Sequence, residues 1–492
     1  MNNSITDFFT NGIAKLGKIT EKFYENPEDF FSFIKGLREI TSKFELDYIK
    51  EVLEDADQKL RESPGRKEKY SIVKTDGRSL VTSLGVVNYK RTYFREKDNG
   101  AGTYLVDEAI GLNRKEHVTE DAKVKVLSEV TESSYRKTGE ETCINEDLVS
   151  KQTVLNILHS LEFPKEKPAE EKKKVRVLYI DADEDHVALQ YINRKGDVER
   201  SDGKYKNNGM LVKLVYVYEG IEKERPAGKR RRLINPHYFS GAYAGEENGK
   251  LWDELKAYIE GHYDTEYLKR VYLNADGGGW IRAGREKLPH AVSVLDEFHL
   301  SKYLVSMTHF LWGDTGEIVR DELREKIQND DVDGFIELCG NISSYAADES
   351  TEKRIEKGRA FICANWDQAV YRLSDRKNMA GCSAEGHVSH LLSARMSSRP
   401  MGWSRKGADR LAHLIAYKKN GGDLLELVRY QDGEEETAQA AGAEEMKGLS
   451  LREIMKSERS SFGINGKYVE KMQATLAYQS RKMMSIGMGM WL

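Results

Sequence analysis

The stretch VRVLYIDADEDHVALQ, residues 175–190, sets a run of strand-forming apolar residues directly against four acids. The run predicts a buried strand over 175–183. Because successive side chains of a strand alternate between its two faces, Asp181 and Asp183 project from the same face. Neighbouring carboxylates repel each other unless a cation lies between them. The stretch therefore predicts a buried strand with a cation site at its end.

The elements that follow predict the fold class. Strands are predicted at 186–193, 210–219, 268–276 and 290–296, with a helix near 247–260 and a short helix before the last strand. Three strands in series, then helix, strand, helix and strand, is the order of the ribonuclease H-like fold, an α/β architecture. The fourth strand of this order ends on Asp276, so a parallel arrangement brings Asp276 beside the acids of the first strand.

The residues before this core predict a mixed α+β region. Residues 1–62 have helical periodicity, and 70–96 changes to the period of two of an antiparallel meander with a turn at its Asp-Gly pair. The predicted division is N-terminal helices and meander at 1–115, a helix-turn-helix DNA-binding region at 116–165, the core at 172–300 and 376–425, a helical insertion at 301–375, and a linker with a helical tail at 426–492.

The last helix of the 116–165 region has an apolar back and an amide-rich front. Ser150 is its predicted N-cap. Val154, Ile157, Leu158 and Leu161 form one stripe, and Gln152, Asn156 and His159 cluster on the opposite side. These three residues and Lys151 are the predicted DNA contacts of the helix. Two interpretations stay open, the recognition helix of a helix-turn-helix unit and an ordinary amphipathic surface helix.

Composition restricts the class of protein. The net charge of -4 argues neither for nor against nucleic acid, because phosphate binding depends on local patches such as Arg230, Arg231 and Arg232. The four cysteines lie far apart without a C-x-x-C pair, which predicts a reduced cytoplasmic setting and no structural zinc. No apolar stretch reaches the roughly 20 residues of a membrane span, so we expect a soluble protein.

A third acid, Glu385, begins a helix that leads into a run of cations. The cations are Arg395, Arg399, Arg405, Lys406 and Arg410. Such a pattern fits a site where metal activates a phosphodiester while the cations hold the nucleic-acid backbone. Two Asp and one Glu supply hard oxygen ligands for two ions, Mg²⁺ or Mn²⁺.

Asp296 and His299 allow two interpretations. Asp296 follows a strand and precedes a helix, so it is most simply an N-cap. The alternative places the pair beside the site, orienting a ligand or contacting DNA. The role of His299 stays open.

Several stretches resemble the ISLre-type insertion-sequence transposases, formerly an uncharacterised protein family and similar in their core to the Mutator-type transposases. The matching stretches are LYIDADEDHVALQ, VYLNADGGGWI, LDEFHLSKYL and CSAEGHVSHLLSARMSSRPMGWSRKGADRLA, with SLGVVNYKRTYF and SSYRKTGEE as weaker support. Together they span nearly the whole chain. The most specific is GWSRKGADRLA, which looks like the Trp-Ser-x-x-Gly-Ala run of the broader group.

The resemblance implies DDE chemistry, in which metal-activated water cuts the transposon end and the freed 3′-hydroxyl attacks target DNA. It makes Asp276 the second Asp and Glu385 the Glu, and Asp296 and His299 look like the group's Asp-x-x-His. The first Asp is Asp181 by the Mutator-type spacing or Asp183 by the ISLre-type pattern, which we favour.

The resemblance also implies the partners. They are double-stranded DNA of terminal repeats and target, two Mg²⁺ or Mn²⁺ ions, and a second copy of the chain in a synaptic complex at the bacterial nucleoid.

Two other classes of protein fit the sequence less well. Sugar kinases and actin-like ATPases share the fold, but the acids of DADEDH would repel ATP phosphates. A DNA-binding regulator without activity would be favoured by a missing carboxylate, and none is missing.

Overall fold

A computed structural model describes residues 3–113, 116–145, 147–190, 209–275, 278–375, 381–431 and 451. These residues form a mixed α/β structure that divides into two compact units. Unit 1 comprises the described residues within 1–125, 139–150 and 432–492, and unit 2 comprises those within 126–138 and 151–431. Within the described residues, no helix has the length and apolar character needed to cross a membrane.

Unit 1 begins with helices around one long helix. They are α1 (Asn3–Asp7), α2 (Ile13–Glu25), α3 (Phe30–Glu62) and α4 (Pro64–Lys69), with a π-helical turn at Phe8–Gly12. Asp29 caps α3 by accepting from the N–H of Ser32. Ser63 caps α4, where Pro64 occupies the first turn and needs no hydrogen-bond partner for its nitrogen.

The antiparallel sheet of unit 1 follows as predicted, except for its turn. It contains β1 (Tyr70–Val81), β2 (Val86–Glu96) and β3 (Gly102–Thr103), and α5 (Leu105–Ala109) comes next. The predicted Asp-Gly turn is wrong, because Asp76 and Gly77 lie inside β1, paired with β2. Asp76 is held there by Lys74 and the Tyr104 hydroxyl. The chain reverses at Thr82–Gly85 instead, and Gly85 has a φ of 151° that favours glycine.

Three consecutive helices occupy the region predicted as a helix-turn-helix. They are α6 (Glu120–Val130), α7 (Tyr135–Glu141) and α8 (Lys151–Ser160). In α8 the predicted apolar back is buried at Val154 and Leu158, while Gln152 and Asn156 on the front are exposed. The amphipathic helix is therefore confirmed, and its DNA contacts stay a prediction.

A five-stranded mixed sheet forms the centre of unit 2. Its elements and their neighbours are β4 (Val177–Ala188), β5 (Gly209–Tyr218), β6 (Gly220–Lys223), β7 (Arg231–Ile234), β8 (His237–Gly241), α9 (Asn248–His262), β9 (Arg270–Ala275), α10 (Gly279–Lys287) and β10 (Ala291–Leu295). The strand order is β10-β9-β4-β5-β8, with β6 and β7 in a separate hairpin. The strand β4 is central, parallel to β9 and antiparallel to β5.

The predicted division between strands 175–183 and 186–193 is wrong. The strand β4 continues through Glu184 and Asp185, because both pair with residues of β5. Residues 191–208 lie outside the described residues. The third strand of the antiparallel series is β8, which is short and follows the arginine-rich hairpin, so the sequence pattern did not reveal it.

The two faces of the sheet differ in polarity. On one face Leu178, Ile180 and Ala182 join the buried core formed with α9 and α10. The other face carries Asp181 and a row of tyrosines. The helical elements that follow the insertion are α16 (Ala384–Val388), a π-helical turn at Ser389–Ser393, α17 (Ala394–Met396) and α18 (Arg405–Lys419). Of these, α16 and the π-helical turn contact β4, and α18 contacts β5 and β8.

The residues of the predicted insertion are helical, as their periodicity indicates. The insertion contains α11 (Glu297–Thr308), α12 (Thr315–Gln328), α13 (Val332–Ser343), α14 (Glu349–Ala364) and α15 (Trp366–Ser374). These helices share a core of their own that includes Leu304, Leu323 and Phe335. Leu295 at the end of β10 joins this core, so the insertion packs directly on the sheet.

Candidate active site

The carboxylate of Asp181 is fully enclosed on the polar face of the sheet. Its exposure is 0%. Oδ1 accepts from the Tyr218 hydroxyl at 3.1 Å and from Asn274 Nδ2 at 2.7 Å. Oδ2 accepts from the Tyr216 hydroxyl at 2.8 Å and from the Ser383 N–H at 2.9 Å. Both oxygens are therefore satisfied by donors from β5, β9 and the residue before α16.

The strand register produces this arrangement. Asp181 lies directly beside Tyr216 of β5 and Asn274 of β9. Burial raises the pKa of the Asp181 carboxyl, and the four hydrogen bonds oppose that shift. Burial and the charge of Asp181 both raise the pKa of the Tyr216 and Tyr218 hydroxyls. The tyrosines thus stay protonated and act as donors.

A buried polar chain continues from Asp181 into the insertion. Asn274 Oδ1 accepts from Arg372 Nη2 at 2.7 Å, and Arg372 Nε donates to the carbonyl of Leu295 at 2.8 Å. Arg372 is 4% exposed and belongs to α15. The last helix of the insertion is therefore bonded to the strand ends on which the candidate site is built.

Asp183 and Asp185 have different surroundings from Asp181. Asp183 is half-buried, and its Oδ1 accepts from the N–H of Glu184 at 2.8 Å. The Oδ1 of Asp185 accepts from Ser397 Oγ at 2.9 Å. The other oxygen of Asp185 is buried without a hydrogen-bond partner among the described residues. The end of β4 thus holds a buried carboxylate oxygen that could accept a ligand.

Glu385 lies in the first turn of α16 with an exposed side chain. The N–H of Ser383, two residues earlier, is bonded to Asp181. The rings of His387 and Tyr216 are in contact, tilted by 39° with 4.6 Å between their centroids, and burial lowers the pKa of His387. These contacts fix α16 to the sheet, so the position of Glu385 depends on the enclosure of Asp181.

Asp276 lies outside the described residues, directly after Ala275 at the end of β9. Within the described residues, no group of three or more His, Cys, Asp or Glu side chains is arranged to hold a metal ion. The metal ligands predicted from the sequence therefore stay a prediction. Of the candidate acids in the described part of the chain, Asp183 is partly exposed and Glu385 is exposed, whereas Asp181 is enclosed.

Asp296 is the N-cap of α11, as predicted. Its Oδ1 accepts from the N–H of Phe298 at 3.2 Å, and its Oδ2 lies 3.2 Å from His299 Nδ1. Asp296 directly follows β10, the neighbour of β9. The pair therefore follows the strand that runs parallel to the one preceding Asp276, and the further role of His299 stays a prediction.

Most of the predicted DNA contacts are exposed. They are Lys151, Gln152, Asn156, Arg230, Arg231, Arg232, Arg399, Arg405 and Lys406. On α8 the Gln152 amide donates to Asn156 Oδ1 at 2.8 Å. The three consecutive arginines belong to the β6–β7 hairpin, where Arg232 pairs with Glu222 at 2.7 Å.

Three other predicted contacts are engaged within unit 2. His159 Nε2 lies 3.2 Å from Ser404 Oγ, and Arg410 pairs with Glu162 at 2.7 Å. Arg395 is 7% exposed and donates to the carbonyl of Val130 at 2.9 Å. Burial lowers the pKa of Arg395 to about 10. Arg395 thus has a structural contact in this conformation, and it is left out of the proposed DNA surface.

The Trp-Ser-x-x-Gly-Ala run has a structural role in packing α18, whereas its cations had suggested only DNA binding. Ser404 caps α18 by accepting from the N–H of Gly407 at 3.0 Å. A Cβ on Gly407 would lie 2.9 Å from both His159 Nε2 and the Tyr135 hydroxyl. The backbone N–H of Trp403 donates to the carbonyl of Ala188, the last residue of β4, at 2.9 Å. The run therefore docks α18 against α7, α8 and β4.

The residues that sequence reasoning missed come from distant parts of the chain. They are Tyr216, Tyr218, Asn274, Arg372 and Ser383. The alternating tyrosines of KLVYVYEG were the available signal, since polar residues with a period of two on a buried strand need partners.

These elements define a class, a mixed α/β protein with an enclosed carboxylate and further acids at the end of its central strand. Residues 28–433 match the model of an uncharacterised protein family, UPF0236. The match covers most of the chain, so the protein belongs to this family.

Curated relatives carry the same family name. A UPF0236 protein of Caldanaerobacter subterraneus subsp. tengcongensis, named with eleven TTE designations from TTE0033 to TTE2212, is 34% identical over 85% of this chain and 84% of its own. The UPF0236 protein TTE2489 of the same organism is 34% identical over 80% of this chain and 79% of its own. The Drosophila P element transposase strand transfer complex is similar with a TM-score of 0.21 and 10% identity, over 66% of this chain and 82% of that one. A TM-score this low carries no inference about fold or activity.

Proposed function

We propose that the protein is a DDE transposase of a bacterial insertion sequence, with a ribonuclease H-like core that cuts DNA at the element ends and joins them to a target. The observation that carries this proposal is the end of β4. There the half-buried carboxylate of Asp183 follows an enclosed Asp181 that also anchors the helix of Glu385.

The strand order supports the proposed fold. The central strand β4 has two antiparallel neighbours in succession on one side, β5 and β8, and two parallel neighbours on the other, β9 and β10. With α9 and α10 as the crossover helices, this order agrees with that of a ribonuclease H-like core. Fold alone does not give function, so the proposal depends on the acids at the strand end.

The surroundings of the two candidate acids favour Asp183 as the first catalytic Asp. A metal ligand must offer an oxygen lone pair to the ion, and the four donors around Asp181 occupy both of its oxygens. Asp183 lies two residues further along the same face and is half-buried. We therefore assign Asp181 as a positioning residue and Asp183, Asp276 and Glu385 as the catalytic acids.

The oxygen-only donor set and the unpartnered Asp185 Oδ2 fit a hard divalent cation. Mg²⁺ or Mn²⁺ bound there would supply a nucleophile at neutral pH and stabilise charge on the leaving oxygen. The residues of this chain hold the acids in place. Asp181 fixes α16 to the sheet, and Arg372 fixes the end of β9 through Asn274.

Double-stranded DNA is the proposed substrate. The exposed arginines of the β6–β7 hairpin and the exposed amides of α8 suit phosphate contacts and base contacts, respectively. The eleven TTE designations that share one relative's name are what a self-copying element would produce in its host genome. We propose that this protein likewise recognises the terminal repeats of its own element.

The test is cleavage and binding of a labelled duplex that carries the element's terminal repeat. Glu385→Gln should abolish 3′-end nicking and leave binding intact or slightly stronger, because removing a negative charge lowers repulsion of phosphate. The matched control is Glu317→Gln, since Glu317 is also an exposed acid in the first turn of a helix, α12 of the insertion. This control should nick at the wild-type rate. Specific binding without cutting by the wild type in Mg²⁺ or Mn²⁺ would instead assign the protein to the DNA-binding regulators.

A further inference from the structure

The long helix α3 of unit 1 carries an exposed apolar stripe. Phe30, Ile34, Tyr48 and Val52 are 54%, 46%, 38% and 46% exposed, and Thr41 between them is half-buried. At 100° per residue, all five lie within about 20° of one line along the helix. Exposed apolar residues that follow one another along a surface are characteristic of interaction sites.

The stripe is symmetric about Thr41. Phe30 and Val52 lie at equal distances in sequence on either side of Thr41, and so do Ile34 and Tyr48. A second copy of α3 running antiparallel therefore brings Phe30 opposite Val52 and Ile34 opposite Tyr48. Such self-complementarity is the requirement of a twofold interface.

The flanks of the stripe match in the same register. On one side Leu37 comes nearly level with Phe44 of the second copy, so two apolar side chains meet. On the other side Arg38, whose guanidinium also donates to the Ile144 carbonyl of its own chain, comes nearly level with Glu45 of the second copy, so a cation lies near an anion. In a parallel pair neither match would form.

We propose that this face of α3 is a homodimer interface, in which two copies of the chain pair antiparallel about a twofold axis at Thr41. The interface is independent of the acids in unit 2 and goes beyond the proposed reaction. Its failure would leave the assignment of Asp183 and Glu385 untouched, and loss of cleavage in Glu385→Gln would say nothing against it.

The first test is sedimentation of the full chain. We expect a dimer for the wild type and a dissociation constant raised at least about tenfold for Ile34→Glu with Tyr48→Glu, since the new carboxylates at positions 34 and 48 would face each other across the interface as buried like charges. The control is Val73→Glu on β1, which is 46% exposed like Ile34 and should stay dimeric. Circular dichroism checks that each variant keeps its helix content.

The second test is a charge exchange that reports the register. Arg38→Glu and Glu45→Arg should each weaken the dimer, and the double variant should restore it. A monomeric wild type, or stripe variants as dimeric as Val73→Glu, would overturn the proposal. So would a protein that dimerises only after deletion of residues 452–492, because the face would then belong to the chain's own C-terminal segment.

Discussion

Asp181 and Asp183 share one face of β4, yet their surroundings differ. Asp181 accepts four hydrogen bonds and is closed to solvent, while Asp183 is half-buried with a local backbone contact. The first position suits a group that organises its neighbours. The second suits a group that binds a ligand.

Substitutions at Asp181 and Asp183 should differ in their effect on the free energy of unfolding. Asp181→Asn should lower the free energy of unfolding by about 1–3 kcal/mol, because an amide offers one acceptor oxygen to the four donors and leaves buried N–H or O–H groups unpaired. Asp183→Asn should change it by less than about 0.5 kcal/mol. Urea denaturation measures both, and equal effects would contradict the positioning role of Asp181.

The shared face of the two acids was predictable, because the period of two is a local property of a strand. The enclosure of Asp181 was not. Its donors come from β5, from β9 and from Ser383, which lies 202 residues further along the chain. No local pattern specifies the register between these segments, so Asp181 and Asp183 are equivalent in the sequence.

The packing of α18 depends on the close approach of Gly407 to α7 and α8. Gly407→Ala should destabilise the protein by about 1–3 kcal/mol, because the new methyl would meet His159, Tyr135 and Ser404. Helix propensity alone predicts the opposite sign.

The matched control for that variant is Gly340→Ala in α13, where a Cβ would meet nothing within 4 Å. Gly340→Ala should stabilise by up to about 1 kcal/mol. Thermal unfolding of both variants gives the comparison. If both variants stabilised the protein, the space around Gly407 would not restrict the side chain at that position.

The β6–β7 hairpin and α8 should differ in how they bind DNA. Replacing Arg230, Arg231 and Arg232 with Ala should weaken binding to all duplexes and reduce the salt slope of log K by roughly 2–3, since each phosphate contact contributes about 0.9. Gln152→Ala should weaken binding to the terminal repeat far more than to random DNA.

Fluorescence anisotropy at several salt concentrations distinguishes these two effects. If Gln152→Ala lowered the affinity for the terminal repeat and for random DNA equally, α8 would bind phosphate or have only a structural role. An unchanged salt slope in the triple Ala variant would remove the hairpin from the DNA surface.

Helices and most strands were predictable from periodicity, and their ends and turns were not. Local preference predicts breaks at Asp76-Gly77 and after Asp183, where polar residues interrupt apolar runs. In the structure, cross-strand partners carry both strands through those residues, so tertiary contacts outweigh local turn preference.

Acid should destabilise the folded protein through protonation of His237. Its ring stacks on Tyr258 at 4.0 Å, near His262, and burial lowers its pKa to about 4 despite Glu166 at 3.5 Å. A histidine kept neutral by folding contributes stability above its ordinary pKa of about 6.5, and that stability is lost as the pH falls towards 4.

The loss through His237 should reach at most about 3 kcal/mol. His237→Gln removes the titrating group, so its unfolding midpoint should fall less than that of the wild type between about pH 6.5 and 4. Parallel pH profiles of the two proteins would contradict a buried neutral His237.

We assign Asp183, rather than Asp181, to a metal-dependent nuclease site. The most direct measurement is nicking of a labelled terminal-repeat duplex by the wild type, Asp183→Asn and Asp181→Asn in Mg²⁺, Mn²⁺ or EDTA, with folding checked in each sample. We predict metal-dependent 3′-end nicking by the wild type, none by folded Asp183→Asn, and reduced but measurable nicking by the folded fraction of Asp181→Asn. Nicking by Asp183→Asn at the wild-type rate would contradict the account.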